Sequence, residues 1–185
     1  MPHHRQSAGA LLVAALVIAC SGGGGDKGGT GDAGGSGGGG SFTAATPPSD
    51  VCAMLTLADV QGPFPGAASN EEERTPDTPD LGFWSRDCKW VGTPSSVSIE
   101  LVVFGALTRD GLAGIRIAAQ TGTMNTPVSG LGDEAHYWQH SDVGTSGLWS
   151  IKGSYSVDVT AYFFDPFPPE AEFHPLVAKA LGQLK

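Results

Sequence analysis

The strand that decides the fold reads FWSRDCKWV and occupies residues 83–91. Successive side chains of a strand point to opposite faces, so Trp84, Cys88 and Trp90 share one face. Two tryptophans and a cysteine on one side are typical of a strand that packs against a core. We expect this face to lie inward, around a disulfide bond made by Cys88.

The chain contains three cysteines, Cys20, Cys52 and Cys88. We assign Cys20 to lipid attachment below, which leaves Cys52 and Cys88 to pair in an oxidising compartment. This bond closes a loop of about 37 residues and contributes roughly 4 kcal/mol in the chain-entropy model. A redox-active site needs Cys-x-x-Cys or an activated thiol, and neither is present. We therefore predict a structural disulfide.

Hydrophobic alternation predicts four further strands, and helical spacing predicts helices between and after them. The strands are expected over residues 97–104, 136–140, 148–152 and 155–164. The helices are expected after Thr56, over 110–120 and after Pro169. Residues 63–80, rich in proline and carrying Glu71-Glu72-Glu73, are predicted to form an exposed loop. The fold class is α+β, with an antiparallel sheet of about five strands and helices packed on one face.

The first twenty residues carry the pattern of a secretory signal. A polar, basic start is followed by a dozen small and aliphatic residues at Ala8–Ala19, too few to span a bilayer of about 30 Å. The end of this run, Val17-Ile18-Ala19-Cys20, resembles the lipobox of bacterial lipoproteins. The resemblance implies cleavage before Cys20 and acylation of its thiol, and two or three acyl chains hold a protein firmly on a membrane. Ordinary signal cleavage beside an incidental cysteine is the alternative.

We divide the chain into a lipoprotein signal peptide (1–19), a lipidated cysteine with a disordered glycine-rich tether (20–49) and a globular domain (50–185). The tether cannot bury enough apolar surface to offset its ordering entropy, and its reach as a flexible coil is about 30 Å. Removing the leader removes Arg5 and moves the formal charge from −9 to −10. A chain this acidic, without a basic stripe, is a poor nucleic-acid binder.

Three short motifs stand in a fixed order within residues 50–185, ahead of a hairpin and an Ala/Leu-rich terminal helix. They are Cys52-Ala53-Met54-Leu55-Thr56, Cys88-Lys89-Trp90 and Gly130-Leu131-Gly132-Asp133-Glu134-Ala135. This order resembles a domain of unknown function found on actinobacterial envelope lipoproteins. It is more distantly similar to the extracellular sensor domains of mycobacterial serine/threonine kinases. The resemblance implies a disulfide between the two matching cysteines, a cleft-bearing α+β fold and an unassigned ligand, and it supplies no catalytic residues.

The sequence predicts neither a metal site nor a cofactor. The stretch Gly144-Thr145-Ser146-Gly147 is one residue short of the serine-hydrolase elbow Gly-x-Ser-x-Gly. His136 and His140 share a strand face with Trp138. Two residues four positions apart on a strand are about 13 Å apart, so they cannot both coordinate one metal ion directly. They suit an exposed polar face or a ligand-contacting strip instead.

Four residues are candidates for ligand contact: Trp138, Trp149, His136 and His140. The two tryptophans flank a loop of Gly, Ser and Asp, where exposed indole rings would stack on a small molecule, a glycan or a peptide. Core packing is the alternative role for these tryptophans.

The first functional hypothesis is a lipid-anchored, non-catalytic binding or accessory module on the extracytoplasmic side of the cell envelope, in the outer membrane if the host has one. Its partners would be the membrane, through acyl chains on Cys20, and an unknown envelope protein or small molecule. This hypothesis predicts an apolar pocket between the sheet and the helices. The alternatives are an envelope hydrolase built from scattered residues such as Asp133, Glu134 and His136, and a structural protein-interaction module.

Overall fold

The computed structural model describes residues 41–73, 79–92, 97–119 and 124–185. Within these ranges the chain forms three α-helices and seven strands, which confirms the α+β class. In chain order they are α1 (Leu57–Gln61), β1 (Ala67–Glu73), β2 (Phe83–Gly92), β3 (Ser98–Ala106), α2 (Arg109–Ala119), β4 (Met124–Pro127), β5 (Glu134–His140), β6 (Thr145–Lys152), β7 (Tyr155–Tyr162) and α3 (Glu170–Gln183). The predicted signal peptide, Cys20 and most of the predicted tether lie outside the described residues.

The seven strands form one antiparallel sheet in the order β1-β2-β3-β7-β6-β5-β4. The prediction of about five strands was wrong, because the two edge strands were missed. Strand β1 reads AASNEEE and lies inside the stretch expected to be a loop, while β4 reads MNTP. Neither shows apolar alternation, and proline is tolerated in a sheet only at an edge. Edge strands are held mainly by hydrogen bonds to one neighbour, which a hydrophobic pattern does not record.

One side of the sheet, which we call the α3 face, carries the hydrophobic core. The strand register sets Cys88, Leu101, Val159 and Leu148 side by side across four strands, and all four are buried. Helix α3 packs on this row through its own apolar stripe, with Phe173 fully buried. The inward orientation predicted for Trp84, Cys88 and Trp90 is confirmed.

The segment before β1 is fastened to the α3 face by a disulfide bond and by two local caps. Cys52 and Cys88 form the predicted bond. The Asp50 carboxylate accepts a hydrogen bond from the Ala53 N–H at 3.1 Å. Thr56 and Asp59 form a reciprocal capping box at the start of α1, the helix that the sequence predicted after Thr56.

Packing of the domain begins upstream of residue 50. Ala45 is buried, and its N–H donates to the Ala106 carbonyl at 2.8 Å. Its carbonyl in turn accepts a hydrogen bond from the Trp84 indole at 3.1 Å. Part of the segment that was assigned to the tether, around Ala45, therefore packs on the domain.

Helix α2 lies on the opposite side of the sheet, so the prediction that the helices share one face was wrong. Its residues meet Phe83, Phe104 and Trp149, which point away from the α3 face. Gly111 permits this approach, because a Cβ there would lie 1.9 Å from the Gly82 carbonyl oxygen. We call this second side the α2 face.

Candidate functional site

The α2 face gathers polar and aromatic side chains in rows across the sheet. The residues of one row, on β2, β3, β7, β6 and β5, are Asp87, Val102, Asp158, Trp149 and His136. Those of the next row, on the same strands, are Lys89, Glu100, Thr160, Gly147 and Trp138. Strand register brings these sequence-distant residues together.

A pocket of about 140 Å³ lies between α2 and the sheet. We call it the α2 pocket, and its lining residues are Phe83, Phe104, Gly114, Ile115, Ala118, Ala119, Trp149, Ser156 and Asp158. Three aromatic rings and small aliphatic groups make most of its wall. An apolar pocket with few polar groups is the usual form of a small-molecule site, and the sequence predicted one between sheet and helices.

Asp158 is the titratable side chain among the described residues that line the α2 pocket. Burial raises the pKa of its carboxyl to about 7, against hydrogen bonds from Thr160 and Trp138 that favour the ionised form. The Thr160 hydroxyl donates to this carboxyl at 3.2 Å. The negative charge of Glu100 raises the pKa further. Asp158 can therefore change its charge near neutral pH.

Gly147 explains how Trp138 reaches Asp158 across an intervening strand. A Cβ at position 147 would lie 2.8 Å from a ring carbon of Trp138. Because glycine has none, the indole lies over β6 and its N–H donates to the Asp158 carboxyl on β7. A tryptophan two strands away from Asp158 thus fixes the orientation of the pocket carboxyl.

A second polar group lies beside Asp158, where β3 and β7 pair. The Tyr162 hydroxyl donates a hydrogen bond to Glu100 at 2.5 Å. Burial, followed by the negative charge of Glu100, raises the pKa of the Tyr162 phenol above its ordinary value. The ammonium group of Lys89 lies 5.9 Å from the centre of the Tyr162 ring. The phenol remains a neutral donor throughout the physiological pH range.

On the other side of Asp158, His136 stacks on Trp149, with ring centroids 4.9 Å apart and planes 7° apart. The His136 Nε2 lies 3.6 Å from Glu134, whose other oxygen is 3.3 Å from Arg116 on α2. This ion pair connects α2 to β5 across the face. The His136 Nδ1 and the Trp149 indole N–H are buried without a hydrogen-bond partner among the described residues.

All four residues predicted to contact a ligand lie on the α2 face. For the two tryptophans the sequence left ligand contact and core packing as alternatives, and Trp149 is fully buried beneath His136. Trp138 is partly buried. His140 stands opposite Thr145 at the far end of β5, and its Nδ1 has no hydrogen-bond partner in the described structure. Their role in ligand contact stays a prediction.

The three residues named for a hydrolase do not all converge. Glu134 and His136 lie close together, as described above. Asp133 is exposed, and its carboxylate accepts the Gly153 N–H of the β6–β7 turn at 2.7 Å. That carboxylate therefore supports the turn.

The sequence reasoning missed Asp158, Glu100, Phe83 and Phe104 as members of this face. A signal was present, because apolar and polar residues alternate over residues 155–161 and Asp158 falls in the set opposite the core-facing valines. An acidic residue amid a half-buried strand pattern marks a polar site on the second face. Which strands lie beside it is set by sheet order and not by the local pattern.

No cluster of three or more His, Cys, Asp or Glu side chains suited to a metal ion occurs in the described residues. None of the helices in the described ranges has the length and apolar character needed to cross a lipid bilayer.

A wider hollow of about 490 Å³ lies near the amino-terminal end of the described chain, beside Phe42, Arg109 and Tyr155. Its described lining includes irregular chain at residues 41–44 and at the β6–β7 turn. The α2 pocket, by contrast, is walled by strand and helix residues and contains a partly buried carboxyl. Sites built on regular elements are held more rigidly than sites built on loops.

No protein-family model matches the chain, and the comparison with curated proteins found no match. Among solved structures, the chain is similar to the crystal structure of the extracellular domain of PknH from Mycobacterium tuberculosis. The two share 12% sequence identity with a TM-score of 0.45, over 75% of this chain and 96% of that one. This neighbour is of the mycobacterial kinase type that the motif order distantly resembles. A likeness at this level does not assign a function to this chain.

Proposed function

We propose that the chain is a lipid-anchored, non-catalytic binding module of the cell envelope, and that its ligand binds in the α2 pocket. The observation that carries this proposal is the pocket itself. Three aromatic rings and a partly buried carboxyl line about 140 Å³ between α2 and the sheet. A protein that needed α2 only for stability would be expected to fill this space with side chains, as protein interiors normally do.

The wall of the α2 pocket also offers a hydrogen-bond donor. Buried polar groups are normally hydrogen-bonded, and the buried indole N–H of Trp149, which lines the pocket, has no partner in the described structure. A ligand in the pocket that accepts this hydrogen bond would satisfy the indole.

The anchoring part of the proposal rests on the sequence. Val17-Ile18-Ala19-Cys20 matches the lipobox pattern, and about 20 glycine-rich residues separate it from the described chain. The disulfide between Cys52 and Cys88 suits an oxidising, extracytoplasmic compartment. In this arrangement acyl chains on Cys20 hold the protein on the membrane while the domain samples its surroundings.

Ligand-observed NMR with a library of small molecules of varied charge tests the pocket. Gly114 lines the pocket, and a Cβ there meets open space. The Gly114→Leu variant should fill the pocket without loss of folding, because leucine has the higher helix propensity. Gly182→Leu is the matched control, since Gly182 is also helical with open space around its Cβ but lies on α3.

We expect some fragments to bind the intact chain, with affinity reduced at least about tenfold by Gly114→Leu and unchanged by Gly182→Leu. The proposal fails if no fragment binds the wild-type chain. It also fails if the folded Gly114→Leu variant binds as well as the wild type.

Metabolic labelling with palmitate tests the anchor separately. Label should follow the wild-type protein into the membrane fraction, and Cys20→Ser should lose both the label and the membrane association. A Cys20→Ser protein that stays in the membrane fraction would exclude lipid anchoring through this residue. Cys52→Ser, which leaves the lipobox intact, serves as the control and should still incorporate palmitate.

A further inference from the structure

We infer that the α2 pocket takes a small organic cation, an amine with a compact apolar body, whose charged head lies against Asp158. The inference rests on the proposed function, because it names the ligand class of the same pocket. It is carried by the size of the pocket, the chemistry of its wall and the position of its carboxyl.

The volume limits the body of the ligand to about the size of one ring. An engineered protein cavity of about 150 Å³ binds benzene, and the α2 pocket measures about 140 Å³. Phe83, Phe104 and Ile115 give it an apolar lining against which such a body would pack. Large ligands such as oligosaccharides exceed this volume.

The charge of the wall selects a cation. Asp158 is the charged group among the described lining residues, and Glu100 acts on it from the neighbouring strand β3. The described pocket residues of α2 are uncharged: Gly114, Ile115, Ala118 and Ala119. An anionic ligand would meet like charge in a poorly solvated site, whereas an ammonium group would form a charge-assisted hydrogen bond with Asp158.

The aromatic part of the wall suits the same ligand. Ring faces attract cations, and the attraction strengthens where water is excluded. Trp149 stands directly opposite Asp158 in the sheet register and also lines the pocket. A cationic head at Asp158 would therefore lie close to an aromatic residue.

Protonation of Asp158 should compete with the cation. Because burial raises the pKa of this carboxyl to about 7, its neutral form is well populated in mildly acidic solution. The groups that act on it from neighbouring positions are Glu100 on β3, Trp138 on β5 and Thr160 on its own strand. A bound ammonium favours the carboxylate, so binding should release a proton and affinity should rise with pH.

Isothermal titration of the intact chain with three probes of one shape and different charge tests the inference. The probes are benzylamine, benzyl alcohol and benzoate. At pH 8 we expect benzylamine to bind about tenfold or more tightly than benzyl alcohol, and benzoate to bind more weakly than either. From pH 5.5 to pH 8 the affinity for benzylamine should rise about tenfold or more, and that for benzyl alcohol should stay constant.

Two variants assign the effect to the pocket carboxyl. Asp158→Asn keeps an acceptor oxygen for Trp138 and Thr160, and it should remove both the preference for benzylamine and the pH dependence. Its affinity for benzyl alcohol should stay near that of the wild type. Gly114→Leu should abolish binding of benzylamine and benzyl alcohol alike, while Gly182→Leu changes neither.

The inference is overturned if benzyl alcohol or benzoate binds as tightly as benzylamine, if Asp158→Asn keeps the preference for the amine, or if no probe binds. These results leave the proposed function standing when other fragments still bind in a manner blocked by Gly114→Leu. Absence of any fragment in the pocket overturns both.

Discussion

The two faces of one sheet differ in what they bury. The α3 face sets Cys88, Leu101 and Val159 in a row against α3, and all three are fully buried. The next residue along each strand belongs to the α2 face, where Asp87, Val102 and Asp158 stand in the parallel row. The first face is closed by an apolar helix stripe, and the second contains a pocket with carboxyl, imidazole and indole groups in its surroundings.

From this difference we expect stability to depend more on the α3 face and the proposed binding to depend on the α2 face. Apolar burial drives folding in proportion to the area removed from water, and the α3 face supplies the larger part of the buried core. Polar groups on the α2 face oppose folding unless they are paired. Substitutions on the two faces should therefore have different consequences, and four predictions measure this.

The largest effect should come from the centre of the α3 face. Phe173 is fully buried, with its ring 5.3 Å from that of Phe64. Phe173→Ala should lower the free energy of unfolding by about 3–5 kcal/mol in urea denaturation, since it leaves a cavity in a close-packed core. Phe104→Ala on the α2 face, where the side chain is half-buried, should lower it by about 1–2 kcal/mol. Equal losses would contradict the division of roles.

The second-largest loss of stability should come from removing the disulfide. The bond between Cys52 and Cys88 spans 36 positions of sequence, and the double variant Cys52→Ala/Cys88→Ala should lose up to roughly 4 kcal/mol of unfolding free energy. A reducing agent should destabilise the wild type by a similar amount and leave the double variant unchanged. If reduction leaves the denaturation midpoint of the wild type unchanged, the disulfide does not contribute to the stability of the folded domain.

The third prediction concerns pH and the α2 face. The folded-state pKa of Asp158, about 7, lies above its ordinary value of 3.8. Between these values the folded protein binds more protons than the unfolded chain, so the Asp158 contribution to stability falls as pH rises from about 4 to 7. Over this interval Asp158 lowers the free energy of unfolding by at most about 1.4 kcal/mol for each unit of increase in pH.

Asp158→Asn should abolish this contribution, so the stability of the variant relative to the wild type should increase from pH 4 to pH 7 and then level off. Denaturant titrations at each pH measure the difference. Asp142→Asn, at an exposed position on the β5–β6 connection, is the control. A constant difference across this range would mean that the Asp158 carboxyl is not desolvated.

The smallest effect should come from the helix contact on the α3 side. Asp59 caps α1 and lies 2.6 Å from Lys179 on α3. The hydrogen bond from Lys179, followed by those from Thr56, lowers the pKa of Asp59 to about 2. Asp59→Asn should cost about 1 kcal/mol of unfolding free energy near neutral pH.

Because the folded-state pKa of Asp59 is depressed, its stabilising effect is present above pH 4 and is lost as the pH falls through 2. The cost of Asp59→Asn should shrink over that interval. Lys179→Gln, which removes the ion pair but keeps the capping box, should account for only part of the cost. If Lys179→Gln costs as much as Asp59→Asn, the cap contributes nothing of its own.

The elements that the sequence predicted well are those whose signal is local. The start of a helix after Thr56, the hairpin of β6 and β7 and the inward face of Phe83–Val91 depend on residues within a few positions of one another. Leu131, flanked by Gly130 and Gly132 at positive φ, is buried through the same kind of local turn. Backbone hydrogen bonds, turn geometry and side-chain alternation act over these short distances.

The elements that the sequence analysis missed depend on distant neighbours. Strands β1 and β4 are paired by β2 and β5, although neither has an apolar pattern of its own. For Trp149 the sequence left ligand contact and core packing open, and it did not show that His136 on the next strand covers the indole ring. The register of strand pairing determines which residues become neighbours, and this register cannot be inferred from the sequence of a single strand.

The sequence by itself determined the α+β class and the alternation of the central strands, because both follow from local periodicity, and it predicted the Cys52–Cys88 pair once Cys20 was assigned to the lipobox. Only the tertiary structure decided that α2 lies opposite α3 and that Asp158 lines a pocket beneath it. The physical reason is that a strand has two equivalent sides, and which element covers each side depends on close approach between remote segments, such as Gly82 and Gly111. The candidate site is the product of that approach.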